Sequence, residues 1–183
     1  MKKFAYLALG ATILASAATA EPVTRTTTYD GSKYEGTRVV TRDSATGTVT
    51  RDSDSTRKSD GATASRDYTR TRADGSVTAA GSETGFAGKT RSFDYARTRT
   101  DTGYTASGTA TGRNGQTYAL SGQGARTDTG YTRDKTITNG SGKTLYDRSV
   151  VATRADGQVS RNVETTRAQG FHPRQRFGFG RRR

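Results

Sequence analysis

Arg99-Thr-Asp-Thr-Gly-Tyr-Thr105 recurs without change as Arg126-Thr-Asp-Thr-Gly-Tyr-Thr132. A second string, Arg72-Ala-Asp-Gly-Ser-Val77, returns as Arg154-Ala-Asp-Gly-Gln-Val159. Both belong to one glycine series, Gly47, Gly75, Gly103, Gly130 and Gly157, with steps of 28, 28, 27 and 27. A second series, Gly61, Gly88, Gly115 and Gly142, runs between them at steps of 27. Seven identical residues in phase with two glycine series identify an internal repeat, the signature of an array of small structural units.

The two series punctuate the chain every 12 to 15 residues. Between them lie stretches such as Arg91-Ser-Phe-Asp-Tyr-Ala-Arg-Thr-Arg-Thr100, rich in the Thr, Tyr and Val that suit a pleated backbone. Asp74-Gly75, Asn114-Gly115, Asn139-Gly140 and Asp156-Gly157 are dipeptides that accept positive φ in tight hairpin turns. Each repeat therefore reads as one β-hairpin with strands of about ten residues. Gly31 and Gly36 mark a degenerate first unit. No proline interrupts residues 23–172, as continuous ladder pairing requires.

The predicted fold is all-β: an extended antiparallel β-hairpin repeat of 27–28-residue period and about ten strands, built as a single-layer meander or a narrow solenoid. The alternation explains the thinness. Phe93, Tyr95, Arg97 and Arg99 face away from Asp94, Ala96, Thr98 and Thr100, and neither set is a clean apolar stripe. A thick sandwich needs such stripes, and an outer-membrane barrel needs an apolar band on every lipid-facing strand.

Composition points the same way. The chain has 183 residues, no cysteine, one His and a net charge of +13. Neither a disulfide framework nor a cysteine metal site can form, and a lone His172 does not supply Ser-His-Asp chemistry or a His-rich metal site. Residues 1–20, MKKFAYLALGATILASAATA, combine a basic start, a short apolar run and Ala18-Thr19-Ala20. That is the pattern of a bacterial secretory signal peptide cleaved after Ala20, and it places the mature chain in the periplasm or outside the cell. In residues 21–183 Val, Ile, Leu and Phe together number 17, while Thr numbers 32, so a large apolar core is excluded.

Motifs for catalysis are missing. Both Gly-Lys-Thr triplets lack the earlier glycine of a phosphate loop, since Glu83 and Ile137 stand there. Asp52-Ser53-Asp54 opens like a calcium loop, but Arg57 takes the place of its obligatory glycine. Acids sit next to arginines, as in Arg42-Asp43, Arg51-Asp52 and Arg66-Asp67, which reads as a charge-laced solvated surface. The chain is expected to be no enzyme and to hold no catalytic, cofactor or metal site.

The expected organisation is signal peptide 1–20, repeat region 21–167, and a disordered Arg/Phe/Gly-rich tail 168–183. The expected role is that of an exported repeat protein, structural or interacting, at the cell envelope or extracellular matrix, with self-association through its strand edges. The alternative is a binder of anionic polymers: lipopolysaccharide, acidic polysaccharide or extracellular DNA. Tail residues Arg174, Arg176, Arg181, Arg182 and Arg183 would lead that binding by counterion release. Arg97, Arg99, Arg126 and Arg154 would extend it, partly cancelled by Asp101, Asp128 and Asp156. A Thr-rich ice-binding sheet is the minor alternative. Only Thr109/Thr111 and Thr136/Thr138 repeat in phase, so no regular Thr plane is expected.

Overall fold

The computed structural model describes residues 20–172. The expected signal peptide, apart from Ala20, and the tail from residue 173 onward lie outside these residues. Eleven antiparallel strands follow one another: β1 (Val23–Asp30), β2 (Tyr34–Asp43), β3 (Thr48–Arg57), β4 (Thr63–Ala73), β5 (Ser76–Thr84), β6 (Thr90–Arg99), β7 (Gly103–Thr111), β8 (Thr117–Thr127), β9 (Gly130–Asn139), β10 (Thr144–Ala155) and β11 (Gln158–Arg167). They form one open sheet in the order β1 to β11, the simplest meander. The all-β hairpin array is as read from the sequence, in its single-layer form, with one strand more than the approximate count. β1 pairs only with β2 and β11 only with β10, so both edges are free among the described residues.

The two glycine series correspond to the two ends of the sheet. At one end the turns at Gly88, Gly115 and Gly142 are three-residue loops. Gly88 N donates to Gly85 O, Gly115 N to Gly112 O and Gly142 N to Asn139 O. Each of these glycines has φ between 71° and 80°, the left-handed residue of a turn followed by a bulge. In the last of these turns the left-handed residue is Gly142 and not Gly140. Asn139 serves the turn through its side chain, whose Oδ1 accepts from Ser141 N and Lys143 N.

At the opposite end Asp74-Gly75 and Asp156-Gly157 are both left-handed, as a two-residue primed turn demands. Gly103 and Gly130 depart from the expected role: they are the first residues of β7 and β9 and not turn apices. A Cβ there would collide with the carbonyl oxygens of Gly124 and Ala152. Close approach of neighbouring backbones, not positive φ, is what requires glycine.

The repeated arginines tie successive hairpins together through their main chain. Arg72 N donates to Gly47 O, Arg99 N to Gly75 O, Arg126 N to Thr102 O and Arg154 N to Thr129 O. The repeat period is thus the distance between equivalent inter-hairpin links.

Glycines inside strands do a different job. Tyr29 lies opposite Gly36, Tyr68 and Phe93 flank Gly81, Tyr95 faces Gly108, and Tyr104 faces Gly124. A Cβ on Gly124 would meet Tyr104 Cε1 at 2.5 Å, so the ring lies over the bare backbone. This is the aromatic cover that rescues glycine in a strand.

The core is small and local. Ile137 is fully buried, and Tyr118 and Phe171 complete its cluster, with Leu120, Leu145, Tyr146 and Ala168 packed around. Phe171 belongs to the segment expected to be a disordered tail. Residues 168–171 instead fold back, with Ala168 N donating to Leu145 O and Phe171 N to Ala168 O. An aromatic side chain beside an unfilled apolar patch gains more from burial than the short segment loses in entropy.

Candidate polyanion interface

Direct cross-strand partners point to the same side of a sheet, so the register assigns every strand residue to one of two faces. The result is a complete sorting. Every strand arginine, together with Lys135, lies on one face. Every strand tyrosine and Phe93 share it. Its single strand acid is Glu83. The opposite face holds the other ten strand acids and every strand threonine except Thr27 and Thr165.

The reading of Arg-Asp neighbours as one mixed surface is therefore corrected. Arg42 and Asp43, Arg51 and Asp52, Arg66 and Asp67 point to opposite sides, because successive strand residues alternate. Nearly all the strand threonines share one face but form no unbroken plane. One row runs Thr24, Thr41, Thr50, Thr69 across four strands before Ala80 and Asp94 interrupt it.

On the basic face, cations are spaced by uncharged residues. One row across the strands reads Arg25, Val40, Arg51, Tyr68; another reads Arg72, Val77, Arg97, Ala106. Alternation avoids the cost of like charges placed directly opposite. The exception is Lys135 opposite Arg148. Arg148 Nε is buried without a hydrogen-bond partner. Desolvation on the crowded face, with Arg148's charge added, holds the Lys135 ammonium below its ordinary pKa, although the residue as a whole is exposed. Two uncompensated cations here would be relieved by an anion.

Glu83 is the counterpoint. Desolvation pushes its pKa up, but the hydrogen bond from Arg91 and the charges of Arg91, Arg113 and Arg66 outweigh this and hold it below the ordinary value. Arg91 Nη2 is 2.5 Å and Arg113 Nη2 2.6 Å from its carboxylate. Of the strand cations only Arg91 and Arg57, the latter paired with Asp60, form ion pairs among the described residues.

The remaining guanidinium groups are free of acid partners or lie against rings. Arg97 sits 3.9 Å from the centroid of Tyr104, with Arg133 at 6.0 Å from the same ring. Arg51 covers Tyr68 at 5.7 Å, and Arg57 covers Phe86, which itself stacks on Tyr34. Arg97, Arg99, Arg126, Arg133, Tyr104 and Tyr131 line a groove of about 720 Å³ along the ends of β6 to β9.

Three of the four repeat arginines singled out in the sequence thus meet in one groove, and Arg154 joins them on the same face from β10. Asp101, Asp128 and Asp156 occupy the turns beside them and form no ion pair among the described residues. Arg174, Arg176, Arg181, Arg182 and Arg183 lie outside the described residues. The sequence reading missed the face itself. Its trace was present in pairs such as Arg70/Arg72 and Arg97/Arg99, two residues apart and therefore on one side of a strand. No group of three or more candidate metal ligands exists among the described residues. No family model matches the chain, no curated protein matches it, and no solved structure matches its fold.

Proposed function

We propose that this is an exported, non-catalytic protein of the cell envelope or extracellular matrix that binds anionic polymers through the Arg/Tyr face of its sheet. The observation that supports this reading is the sorting of all strand arginines onto one side, nearly all of them without an acid partner. A polymer laid across that face neutralises many cations at once and releases its condensed counterions. Guanidinium groups suit phosphate, sulfate and carboxylate because they donate bidentately. Rows repeated from hairpin to hairpin multiply weak contacts along one chain. The tail arginines Arg174, Arg176, Arg181, Arg182 and Arg183 add the same chemistry at the C-terminus. Nothing among the described residues reads bases, so sequence preference is not expected.

The test is retention on heparin, duplex DNA and lipopolysaccharide across a salt series. Three proteins are compared: the whole chain, a chain ending at residue 172, which keeps the buried Phe171, and R97Q/R99Q/R126Q/R133Q. The groove variant is expected to elute at clearly lower salt than the whole chain on all three supports. Unchanged retention of that variant would overturn the face as the binding surface. Loss in the truncated form alone would move the site to the tail.

A further inference from the structure

The two faces of this sheet are complementary to each other as well as to outside partners. Across the strands one face holds eighteen cations and one acid, the other ten acids and no cation. Neither face is covered by a second layer; the described residues form a single sheet with a buried cluster at one end. Sheets of this kind ordinarily gain stability by packing one face on something.

We propose that copies of this chain stack front to back, the Thr/Asp face of one seated on the Arg/Tyr face of the next. Charge selects this arrangement. Two basic faces repel, two acidic faces repel, and only basic on acidic attracts. Shape permits it. A twisted sheet presents two nearly parallel surfaces, so an identical copy with identical twist nests on it by translation, about 10 Å away. Area suffices. Eleven strands about 4.8 Å apart and about 33 Å long present roughly 1,700 Å² per face, about twice the 800 Å² per partner of a standard interface. The donors and acceptors match: Asp52, Asp67, Asp94 and Asp134 carry carboxylates opposite in sign to the guanidinium rows they would meet. Asp52 and Asp67 are moreover direct cross-strand partners, a like-charge pair that a facing cation would relieve.

The contact joins two different surfaces and leaves each copy with one free face. It is heterologous and does not close, so it extends into a stack instead of stopping at a dimer. The terminal basic face would remain open to an anionic polymer.

Sedimentation of the full chain over a concentration and salt series tests this. The expected result is a size distribution that grows with concentration at low salt and collapses to monomer at high salt. D52N/D67N/D94N/D134N is expected to need at least tenfold more protein to assemble, while its heparin elution stays unchanged or moves to higher salt. That second readout separates failure of stacking from failure of polyanion binding. Circular dichroism establishes that both variants keep the β spectrum. A mixing experiment removes dependence on either variant alone. R97Q/R99Q/R126Q/R133Q retains the acidic face and D52N/D67N/D94N/D134N retains the basic face, so the 1:1 mixture should associate, with dimers as the main species, at concentrations where neither variant does alone. A wild-type chain that stays monomeric at low salt, a mixture that stays monomeric, or assembly that survives both high salt and the aspartate substitutions would overturn the proposal. The last outcome would point to edge-to-edge pairing of β1 and β11.

Discussion

Ile137 and Thr136 are neighbours in the chain and occupy different environments. Ile137 lies on the basic face, fully buried under Phe171 and Tyr118. Thr136 lies on the hydroxyl face and gives its hydroxyl hydrogen to Asp147, 2.7 Å away. The same contrast runs through the sheet. The basic face combines cations with all the strand rings and the small core, and the other combines hydroxyls with acids. Positive charge and the buried apolar residues are thus concentrated on one side. The opposite side holds itself together by short cross-strand bonds, such as Thr48 to Thr71 at 3.1 Å and Thr84 to Thr90 at 2.8 Å. A single-layer sheet does not have an inside and an outside. It has two exteriors, and the register sorts the residues between them.

The contrast can be broken most forcefully at Ile137. Ile137→Ala should cost about 2–5 kcal/mol, since it removes the most completely buried side chain among the described residues. Thr136→Ala should cost only about 1 kcal/mol, the net value of its hydrogen bond. Urea midpoints of the two variants measure the difference; equal losses would mean that the faces do not differ in their share of stability.

On the binding side the expected change is one of slope. Removing Arg97, Arg99, Arg126 and Arg133 together should flatten the dependence of log affinity on log salt by roughly 3.6 for duplex DNA, about 0.9 for each phosphate no longer neutralised. Removal of four threonines from the other face, Thr41, Thr50, Thr69 and Thr78, should leave that slope where it was. Fluorescence anisotropy of a labelled duplex, titrated at several salt concentrations, reads both.

Tyr104 sharpens the comparison within the basic face. It lies between Arg97 and Arg133 and over Gly124. Tyr104→Leu keeps apolar cover over the glycine but removes the ring quadrupole. A loss of about 0.5–1 kcal/mol is expected from the guanidinium contacts. If thermal unfolding of Tyr104→Leu matches wild type in low and high salt alike, the ring acts as cover alone.

The smallest effect is a gain. Lys135 faces Arg148 directly, and its pKa is below the ordinary 10.5, through desolvation first and Arg148 second. Lys135→Thr should stabilise the fold by about 0.5 kcal/mol at neutral pH by removing a like-charge pair. A lowered cation pKa means that the unfolded chain binds that proton more tightly. Wild-type stability should therefore gain from Lys135 as pH rises through its folded pKa towards 10.5. The advantage of Lys135→Thr should shrink over the same interval. Parallel denaturation curves at neutral and alkaline pH would show a constant advantage if the lysine were unperturbed.

The repeat sequence by itself determined the hairpins, the approximate strand lengths and most of the turns, although Gly103 and Gly130 open strands instead. These are local: Asp74-Gly75 and Gly142 are turn residues because of the φ their own backbone must adopt. The all-β class and the thinness of the sheet followed from the same local alternation and from the scarcity of large apolar residues. Which face each residue joined was decided only by the assembled sheet. Side chains alternate with period two, so a turn longer or shorter by one residue would send the next strand's arginines to the other side. The turns here differ in length, from the two-residue Asp156-Gly157 to the longer link between Asp43 and Thr48. Only the register across all eleven strands shows that each turn keeps the parity that brings Arg51, Arg70, Arg97 and Arg133 to one side. The place of Phe171 was decided in the same way. Its buried site is built from Tyr118, Ile137 and Leu145, on three strands that come together only in the folded sheet. No local pattern near residue 171 encodes that pocket, because its walls are distant in the chain and adjacent only in space.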